Sequence, residues 1–462
     1  MKSKSVDMVS GPMFKGLLAL TIPIMIMNVA QSLFNLLDMA VLRVFGFEQA
    51  VGAVGACGVL ITLFTSLLIG ISAGANVVIA RHIGAGNKSR AEAAINTSII
   101  FAICAGLTLM VIGVVFARDF LLMTKCPTTL LDDATLYFQI YFYGLPIQML
   151  YVFSASVLRA LGDTKRPMYF LLLGSACKVV LTVLLLQTAL GGVISASLAT
   201  VFANLVACVM SIVAVVKNKD VEVLRIKKLG FDFTELKAIL YNGVPAGIQS
   251  ALYAFANVII TTVVNSYGEA ATTGVSIANQ FDGILYQISL APSLAAIPYV
   301  AQNMGAGKFD RVKKATLYSI AITVAFGASL GSLSAIFSRE LSYIGSSSPE
   351  VVAFSVQKMV IVSSTYFICG INEVLGGALK GMGRPIVPTV TSLIFLCLLR
   401  FAWVYFVFPL FPPNNLTFLY LVWPIGWTLS IITLSCVLIY AMSKYRKTNN
   451  RTEGLSQSGI TE

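Results

Sequence analysis

The chain has 462 residues, of which 57% are hydrophobic and only 11% are charged, and its mean hydropathy is +0.85. Soluble domains carry about 25% charged residues, so this composition excludes an ordinary soluble enzyme or binding module and is typical of a protein that crosses a membrane many times. The formal net charge of +12 would suit a nucleic-acid-binding protein, but the positions of the basic residues indicate another origin for the charge.

Apolar stretches predict about twelve membrane-spanning helices, and hence an all-α membrane protein. Each stretch is long enough to cross about 30 Å of hydrocarbon at about 1.5 Å per residue. The first stretch lacks a short apolar core followed by a small-residue cleavage site, so it is predicted to be a retained helix and not a signal peptide. In chain order, the predicted spans cover residues 17–45, 51–79, 92–117, 134–158, 168–190, 192–216, 236–266, 271–301, 313–337, 352–379, 386–408 and 418–442.

The lysines and arginines alternate between the two sides of the membrane that these spans define. Connections on one side, including both termini, hold 25 of the 32 basic residues, whereas the connections on the other side hold only Arg118, Lys125 and Arg339. Because cytoplasmic loops carry the excess of Lys and Arg, both termini are predicted to lie in the cytoplasm and the multi-pass protein in the inner or plasma membrane. The positive charge is therefore a topology signal, and no nucleic-acid partner is expected.

Four basic residues fall inside the predicted spans. Arg43 and Lys358 lie near the outer ends of their spans, from where a long side chain can reach the membrane interface. Lys178 and Arg400 lie deeper, where a charge is costly unless it is paired or hydrated.

Sequence motifs of enzymes and of ATP-driven pumps are absent from the chain. The eight cysteines occur singly, without a CxxC pair, and are interpreted as small apolar residues with no disulfide framework. The only histidine, His82, falls in a predicted cytoplasmic loop, so a histidine-based metal site is not expected. Neither GxxxxGKS, GxxxxGKT nor HExxH occurs. The sequence therefore predicts neither an enzyme nor a resident metal or cofactor.

The two halves of the chain repeat each other. ARHIGAGNKSRAEAA at residues 80–94 matches AQNMGAGKFDRVKKA at 301–315, and VLRALGDTKRP at 157–167 matches ALKGMGRP at 378–385 with a short gap. Near the start of each half, ALTIPIMIMNVAQSLFN resembles AILYNGVPAGIQSALYAFAN, and the offset is 221–222 residues from Pro23 and Pro245 up to that gap. Each repeat holds six spans, an even number, so both copies are predicted to face the same way across the membrane.

The repeat predicts two pseudo-symmetric six-helix bundles around a central cavity. Such matched bundles are a common transporter design, in which rocking of one bundle against the other gives alternating access. The predicted parts are an N-lobe at 1–216, a charged cytoplasmic linker at 217–235, a C-lobe at 236–445 and a polar cytoplasmic tail at 446–462.

The first span carries a polar stripe that ends in a carboxylate. Asn28, Gln31, Asn35 and Asp38 are spaced by 3, 4 and 3 residues, which places them on one face of a helix. A polar stripe cannot favourably face lipid, so it is predicted to face the bundle interior or water. One interpretation is hydrogen-bonding between helices, and the other is a site for a proton or a cation.

Two further acids are embedded in the second half. The eighth span carries Asn279, Asp282 and Tyr286 on one face, and the tenth span carries Tyr366 and Glu373 seven residues apart. Embedded acids are the usual groups of proton relays and cation sites, although each could instead be held by a basic neighbour as part of the structure.

Lys178 is a candidate partner for Asp38. By helical rise, Asp38 lies about 12 Å and Lys178 about 15–20 Å below the same outer face of the membrane. The two depths are compatible, but the sequence leaves open whether the first and fifth spans touch.

The chain as a whole, from about Gly11 to Tyr445, resembles the multidrug and toxic compound extrusion (MATE) transporters of bacteria. The resemblance is carried by FNLLDMAVL in the first span, the two GAG turns, RALGDTKRP at 159–167 and YFICGINEVLGGALKGMGRP at 366–385. It implies twelve spans in two six-helix lobes, and the export of organic cations in exchange for H⁺ or Na⁺.

The resemblance assigns roles to single residues. Asp38 matches the family's acid in the first span, Thr200 matches a threonine of the sixth span, and Glu373 resembles an acid of the C-lobe. Where family members often have an Asn and an Asp four residues apart in the fifth span, this chain has Lys178 and Thr182. An ammonium in place of an amide puts an N-lobe Na⁺ site in doubt, while a transient Na⁺ site at Glu373 or Asp282 stays open.

The leading hypothesis is a secondary active antiporter that exports amphipathic organic cations and drugs across the lipid bilayer, as a monomer without a cofactor, in exchange for H⁺ or Na⁺. The alternative is a flippase for lipid-linked saccharides with the same overall fold, since Lys178 and Arg400 would suit a pyrophosphate headgroup. An intramembrane enzyme is disfavoured because no nucleophile–base pair is recognisable in the spans.

Overall fold

The computed structural model describes residues 5–124, 126–188, 190–218, 221, 230–412 and 415–457, with all of their side chains except those of residues 35, 48, 59, 254, 255 and 446–457. Across this described part of the chain, helices are the only regular secondary structure. Eleven of these helical segments are long and apolar enough to cross a membrane, and one bent pair makes a twelfth. The prediction of an all-α protein with about twelve spans is confirmed.

The helices of the first half include six predicted spans and one short extra helix. They are α1 (Met13–Val44), α2 (Glu48–Gly84), α3 (Lys88–Val115), α4 (Ala117–Met123), α5 (Leu131–Tyr143), α6 (Leu145–Ala160), α7 (Lys165–Leu186) and α8 (Gly192–Val216). The fourth span is the bent pair: α5 and α6 meet at 48°, where Pro146 at the start of α6 has no N–H to continue the ladder of α5.

The second half follows the same plan. Its helices are α9 (Phe233–Asn265), α10 (Glu269–Gly305), α11 (Phe309–Ile336), α12 (Ser338–Gly345), α13 (Pro349–Val362), α14 (Tyr366–Gly381), α15 (Ile386–Ser392), α16 (Leu399–Ala402), α17 (Thr417–Tyr420) and α18 (Val422–Gln457). The short helices α4 and α12 occupy matching places in the two halves and were not predicted, because seven or eight residues are too few for a helical pattern to emerge.

Glycines close the matching turns of the two halves. In the two GAG turns, Gly86 and Gly307 have φ angles of 71° and 69°, and in the later motif turns Gly162 and Gly383 have 84° and 76°. These positive angles are favourable for glycine alone. The repeat seen in the sequence therefore corresponds to repeated backbone geometry.

The eleventh span is interrupted on both sides of α16. It runs from Ile386 to Leu410, but residues Leu393–Leu398 and Trp403–Val407 form π-helical segments before and after the four residues of α16. The sequence predicts one uninterrupted helix here, so the two π segments are a departure that only the structure reveals.

The chain divides into two compact units. Unit 1 comprises the described residues of Met1–Val6, Ile26–Ile79 and Asn87–Gly247, and unit 2 comprises those of Asp7–Met25, Ala80–Gly86 and Ile248–Glu462. Within the predicted linker, residues 219, 220 and 222–229 lie outside the described part, as do residues 458–462 of the predicted tail.

Candidate functional site

In unit 1, the embedded carboxylate of the first span forms an ion pair. The ammonium of Lys178, on α7, contacts Oδ2 of Asp38, on α1, and each of the two side chains is 15% exposed. Oδ1 of Asp38 is buried and has no hydrogen-bond partner among the described residues. The pairing that the sequence left open therefore exists, and it explains how a carboxylate is held in an apolar helix.

Two other residues that the sequence predicts for the site of unit 1 differ in their surroundings: Thr200 is hydrogen-bonded, and Gln31 is exposed. Thr200, on α8, donates a hydrogen bond to the carbonyl of Ala196 at 2.8 Å, and Tyr137 of α5 lies near it. Tyr137 lies close enough to Asp38 to interact electrostatically, and nothing in the sequence singled it out. Gln31 is exposed, and the side chain of Asn35 lies outside the described residues.

In unit 2, α10 and α13 form a second embedded ion pair. Nζ of Lys358 lies 2.9 Å from Oδ2 of Asp282 and also donates to Oδ1 of Asn279. Ser363 donates to the other oxygen of Asp282 at 3.1 Å. The expectation that Lys358 reaches the membrane interface is wrong: it is 4% exposed, because an amide and a carboxylate on one face of α10 hold it inside the unit.

The third embedded acid, Glu373 on α14, has a neutral partner. The hydroxyl of Tyr253, on α9, donates to Oε1 of Glu373 at 2.6 Å, and the amide of Asn372 donates to the same hydroxyl at 3.3 Å. Among the described side chains, no lysine or arginine nitrogen lies within 4 Å of Glu373. Lys380, two turns along the helix, acts on Glu373 electrostatically.

Aromatic side chains surround these groups of unit 2. The ring of Tyr286 lies 6.5 Å from that of Tyr253, and the ring of Tyr366 lies 5.8 Å from that of Trp427. Tyr366 and Trp427 belong to an apolar cluster of buried residues in this unit. The predicted residues Tyr286 and Tyr366 thus contribute aromatic surface, which favours cations and flat organic rings.

Arg400 is a buried cation. The sequence predicts its position deep in a span but assigns it no role in antiport. Only 2% of it is exposed. Its Nη1 donates to Oδ1 of Asn257, on α9, at 2.7 Å, and its guanidinium lies 4.8 Å from the ring centre of Trp423. A sequence signal was available, because Asn257 aligns in the repeat with Asn35 of the polar stripe, and Arg400 follows Lys178 by the same number of residues, 222.

Acids outside the spans have ordinary structural roles. Asp7 accepts hydrogen bonds from the backbone N–H groups of Ser10 at 2.8 Å and Val9 at 3.0 Å, and these bonds hold the pKa of Asp7 below its usual value. Asp232 precedes α9 and accepts from the N–H of Thr234 at 2.8 Å, which lowers the pKa of Asp232 in the same way. The embedded acids differ, since side chains and not backbone groups hold them.

No preformed metal centre is evident in the described part of the chain, where no group of three or more His, Cys, Asp and Glu side chains is placed to hold a metal ion. A transient Na⁺ at Glu373 or Asp282 stays a prediction. At Asp282 such an ion would compete with the ammonium of Lys358 for the same oxygen.

The fold agrees with the comparisons to known proteins. A model of the MatE family matches residues 23–184 and again residues 245–406, so both ends of the match are displaced by 222 residues. The chain is 28% identical to the probable multidrug resistance protein YoeA of Bacillus subtilis, over 80% of this chain and 82% of the relative.

Two further likenesses are weaker in sequence. A FAD transporter of Shewanella oneidensis is 24% identical, over 85% of this chain and 87% of the relative. A crystal structure of a MATE protein in complex with MaL6 superposes with a TM-score of 0.89 at 20% identity, covering 96% of this chain and all of that one. The match to the family model covers well over half of the chain, so the protein belongs to the MATE family of multidrug efflux transporters and is not an enzyme.

Proposed function

We propose that this protein is a proton-coupled secondary antiporter that exports amphipathic organic cations. The observation that carries the proposal is the Asp38–Lys178 pair of unit 1, which leaves one buried carboxylate oxygen without a partner in the described residues. The family match and the relative described as a multidrug resistance protein support drug export driven by an ion gradient.

Proton binding at Asp38 would switch the charge of unit 1. When the carboxylate is ionised, it pairs with Lys178; when it takes a proton, the pair loses its attraction and the ammonium is free to separate. The two states differ in their preferred hydration and packing, so a proton shifts the population between them. Export is driven when one state faces the cytoplasm and the other faces outward.

The same pair disfavours Na⁺ as the coupling ion in unit 1. A Na⁺ site needs several oxygen ligands, and the ammonium of Lys178 already occupies one oxygen of Asp38. A fixed positive charge next to the site also repels a second cation. We therefore assign the coupling in unit 1 to H⁺.

Glu373 is the proposed contact for the substrate's positive charge. It is the embedded acid that has no basic nitrogen within 4 Å in the described chain, and its neighbours Tyr253 and Tyr286 add aromatic rings. Carboxylates and aromatic faces both attract organic cations in a site from which water is excluded.

Three further parts of the proposal rest on the sequence. Both termini lie in the cytoplasm, as the distribution of Lys and Arg indicates. The transporter acts as a monomer, and its partners are small molecules and the lipid bilayer. The relatives reported above do not favour a flippase for lipid-linked saccharides.

Dye efflux from proteoliposomes tests the proposal. The purified protein is reconstituted, loaded with a cationic rhodamine ester, and given a proton gradient or a Na⁺ gradient separately. The proton gradient alone should drive concentrative export, and the Na⁺ gradient alone should not. Export driven by Na⁺ without a proton gradient would contradict the assigned coupling, and no export under either gradient would contradict antiport.

A further inference from the structure

Arg400 is the embedded cation that the proposed antiport leaves unused. Lys178 and Lys358 each contact a carboxylate, whereas no carboxylate in the described part of unit 2 lies within 4 Å of Arg400. Its Nη1 bonds to a neutral amide, and its buried Nε has no partner among the described residues. A buried cation without an anion is unfavourable, so Arg400 is a group that an anionic ligand would stabilise.

One edge of the guanidinium has no hydrogen-bond partner among the described residues. Asn257 engages Nη1, and Trp423 lies over the flat face of the group, with 4.8 Å between Cζ and the ring centre. The remaining edge, formed by Nε and Nη2, carries two parallel N–H groups, which is the arrangement that binds both oxygens of a carboxylate at once.

The net charge of the side chains around Trp423 is also positive. The ammonium of Lys358 lies 5.9 Å from the centre of the same indole ring, so two cations approach one aromatic side chain. Only one of them, Lys358, has a carboxylate in contact, that of Asp282. An anion at the unpartnered edge of Arg400 would neutralise the remaining positive charge.

The helix that carries Arg400 also has an irregular backbone. The residue lies in α16, between the π-helical segments Leu393–Leu398 and Trp403–Val407. Short π-helical insertions are rare and frequently occur at functional sites, because they turn a side chain away from the direction that a regular helix would give it.

One face of α9 brings Arg400 close to the proposed cation site. Tyr253 and Asn257 are four residues apart on α9, so they are one turn, or about 6 Å, apart along its axis. Tyr253 holds Glu373 and Asn257 holds Arg400. The side chains that contact the acid and the guanidinium are thus one helical turn apart on one face of α9.

We propose that Arg400, with Asn257 and Trp423, forms a subsite for the carboxylate of an organic substrate. Asn257 is exposed beside the buried guanidinium, so a ligand can approach the group from that side. This inference rests on the proposed function and deepens it. The preferred substrates are zwitterionic amphiphiles, whose positive group lies at Glu373 and whose carboxylate lies at Arg400.

A matched pair of dyes tests the subsite. A rhodamine with a free benzoate carboxylate is zwitterionic, and its methyl ester keeps the positive charge but lacks the carboxylate. In proteoliposomes under a proton gradient, Arg400→Gln should lower efflux of the carboxylate dye about ten- to hundredfold and change efflux of the ester less than about twofold, since the charged hydrogen bonds are lost only for the carboxylate. Arg400→Lys, which keeps the charge without the fork, should give an intermediate loss.

Arg339→Gln is the matched control, because it removes an exposed arginine of the same unit, and it should leave both dyes unaffected. An equal loss for both dyes in Arg400→Gln would overturn the subsite and assign Arg400 to structure. An unchanged efflux of both dyes would overturn it as well.

Binding to the purified wild-type protein provides a test that needs neither transport nor a stable variant. By fluorescence anisotropy, the carboxylate dye should bind at least about tenfold more tightly than the ester. Equal affinities would overturn the subsite even if antiport is established. Failure of both dyes to move in liposomes would contradict the proposed antiport, while the ratio of the two affinities would still decide the subsite.

Discussion

The two units share one helical plan but differ in how they hold charge inside the membrane. The family model matches both halves, with both ends of the match displaced by 222 residues, and the embedded cations Lys178 and Arg400 are separated by the same number. In unit 1 the cation contacts the carboxylate of Asp38, and in unit 2 the cation contacts the amide of Asn257. The embedded cation is therefore neutralised in one unit and not in the other.

The acids of unit 2 have no counterparts in unit 1. At a displacement of 221 or 222 residues, Asp282 corresponds to Leu60 or Ile61, and Glu373 corresponds to Tyr151 or Val152. The duplication thus preserved helices and turns, while the embedded charges diverged. In the proposed function, this difference corresponds to a division of roles in which unit 1 couples to protons and unit 2 binds the substrate.

Asp38→Asn should have the largest effect, because it removes the only proposed proton site of unit 1. The amide is nearly the same size but takes no proton at neutral pH, so efflux driven by a proton gradient should fall to the level of empty liposomes. Asp119→Asn, at an exposed acid of the same unit, is the control and should transport normally. Undiminished efflux by a well-folded Asp38→Asn would remove unit 1 from coupling.

Lys178→Ala should be nearly as damaging, since it leaves the carboxylate of Asp38 buried without its cation. Breaking a buried pair in this way costs about 3–5 kcal/mol, and the loss favours the protonated form of Asp38. Efflux should therefore be weak, and its pH profile should move to higher pH. The profile is measured at fixed Na⁺ with Lys88→Ala, an exposed lysine, as control; superimposable profiles would show that Lys178 does not act on Asp38.

Glu373→Gln should have a moderate effect that depends on the dye. The substitution keeps an acceptor for the hydroxyl of Tyr253 but removes the negative charge, so efflux of cationic dyes should fall about tenfold and efflux of neutral dyes much less. Glu340→Gln, exposed on α12, is the matched control. Equal loss for cationic and neutral dyes would indicate structural damage and not a lost charge contact.

Asn257→Asp should have the smallest effect, and it makes unit 2 resemble unit 1. The new carboxylate would pair with Arg400 as Asp38 pairs with Lys178, so a substrate's carboxylate would have to compete with it. Binding of the carboxylate rhodamine should weaken about fivefold to tenfold, and binding of the ester should not weaken. Asn265→Asp on the same helix is the control. If both dyes lose affinity equally, Asn257 does not tune Arg400.

The frame of the molecule could be predicted from the sequence because its signals are local. Apolar runs of sufficient length predict spans, and the glycines of the GAG turns predict where helices end; the structure confirms both. The Asp38–Lys178 pair was only partly predictable. Helical rise places the two residues at similar depth, but the packing of α1 beside α7 depends on tertiary contacts.

Other partners could not be predicted for physical reasons. A tyrosine in an apolar helix, such as Tyr253, is an ordinary residue in that setting, and nothing local assigns its hydroxyl to Glu373. Lys358 lies near a helix end, from where its ammonium could reach either the membrane interface or the interior of the unit. It lies in the interior because Asp282 and Asn279 on one face of α10 bind the ammonium. The π-helical segments around Arg400 leave no pattern in the sequence.

The division of roles between the units is tested most directly by the affinity of purified variants for the cationic rhodamine ester, measured by fluorescence anisotropy at one pH. If unit 1 couples and unit 2 binds, Asp38→Asn should bind the dye within about twofold of the wild type, whereas Glu373→Gln should bind it about tenfold more weakly. If Asp38→Asn loses as much affinity as Glu373→Gln, or more, the two units do not divide coupling from binding.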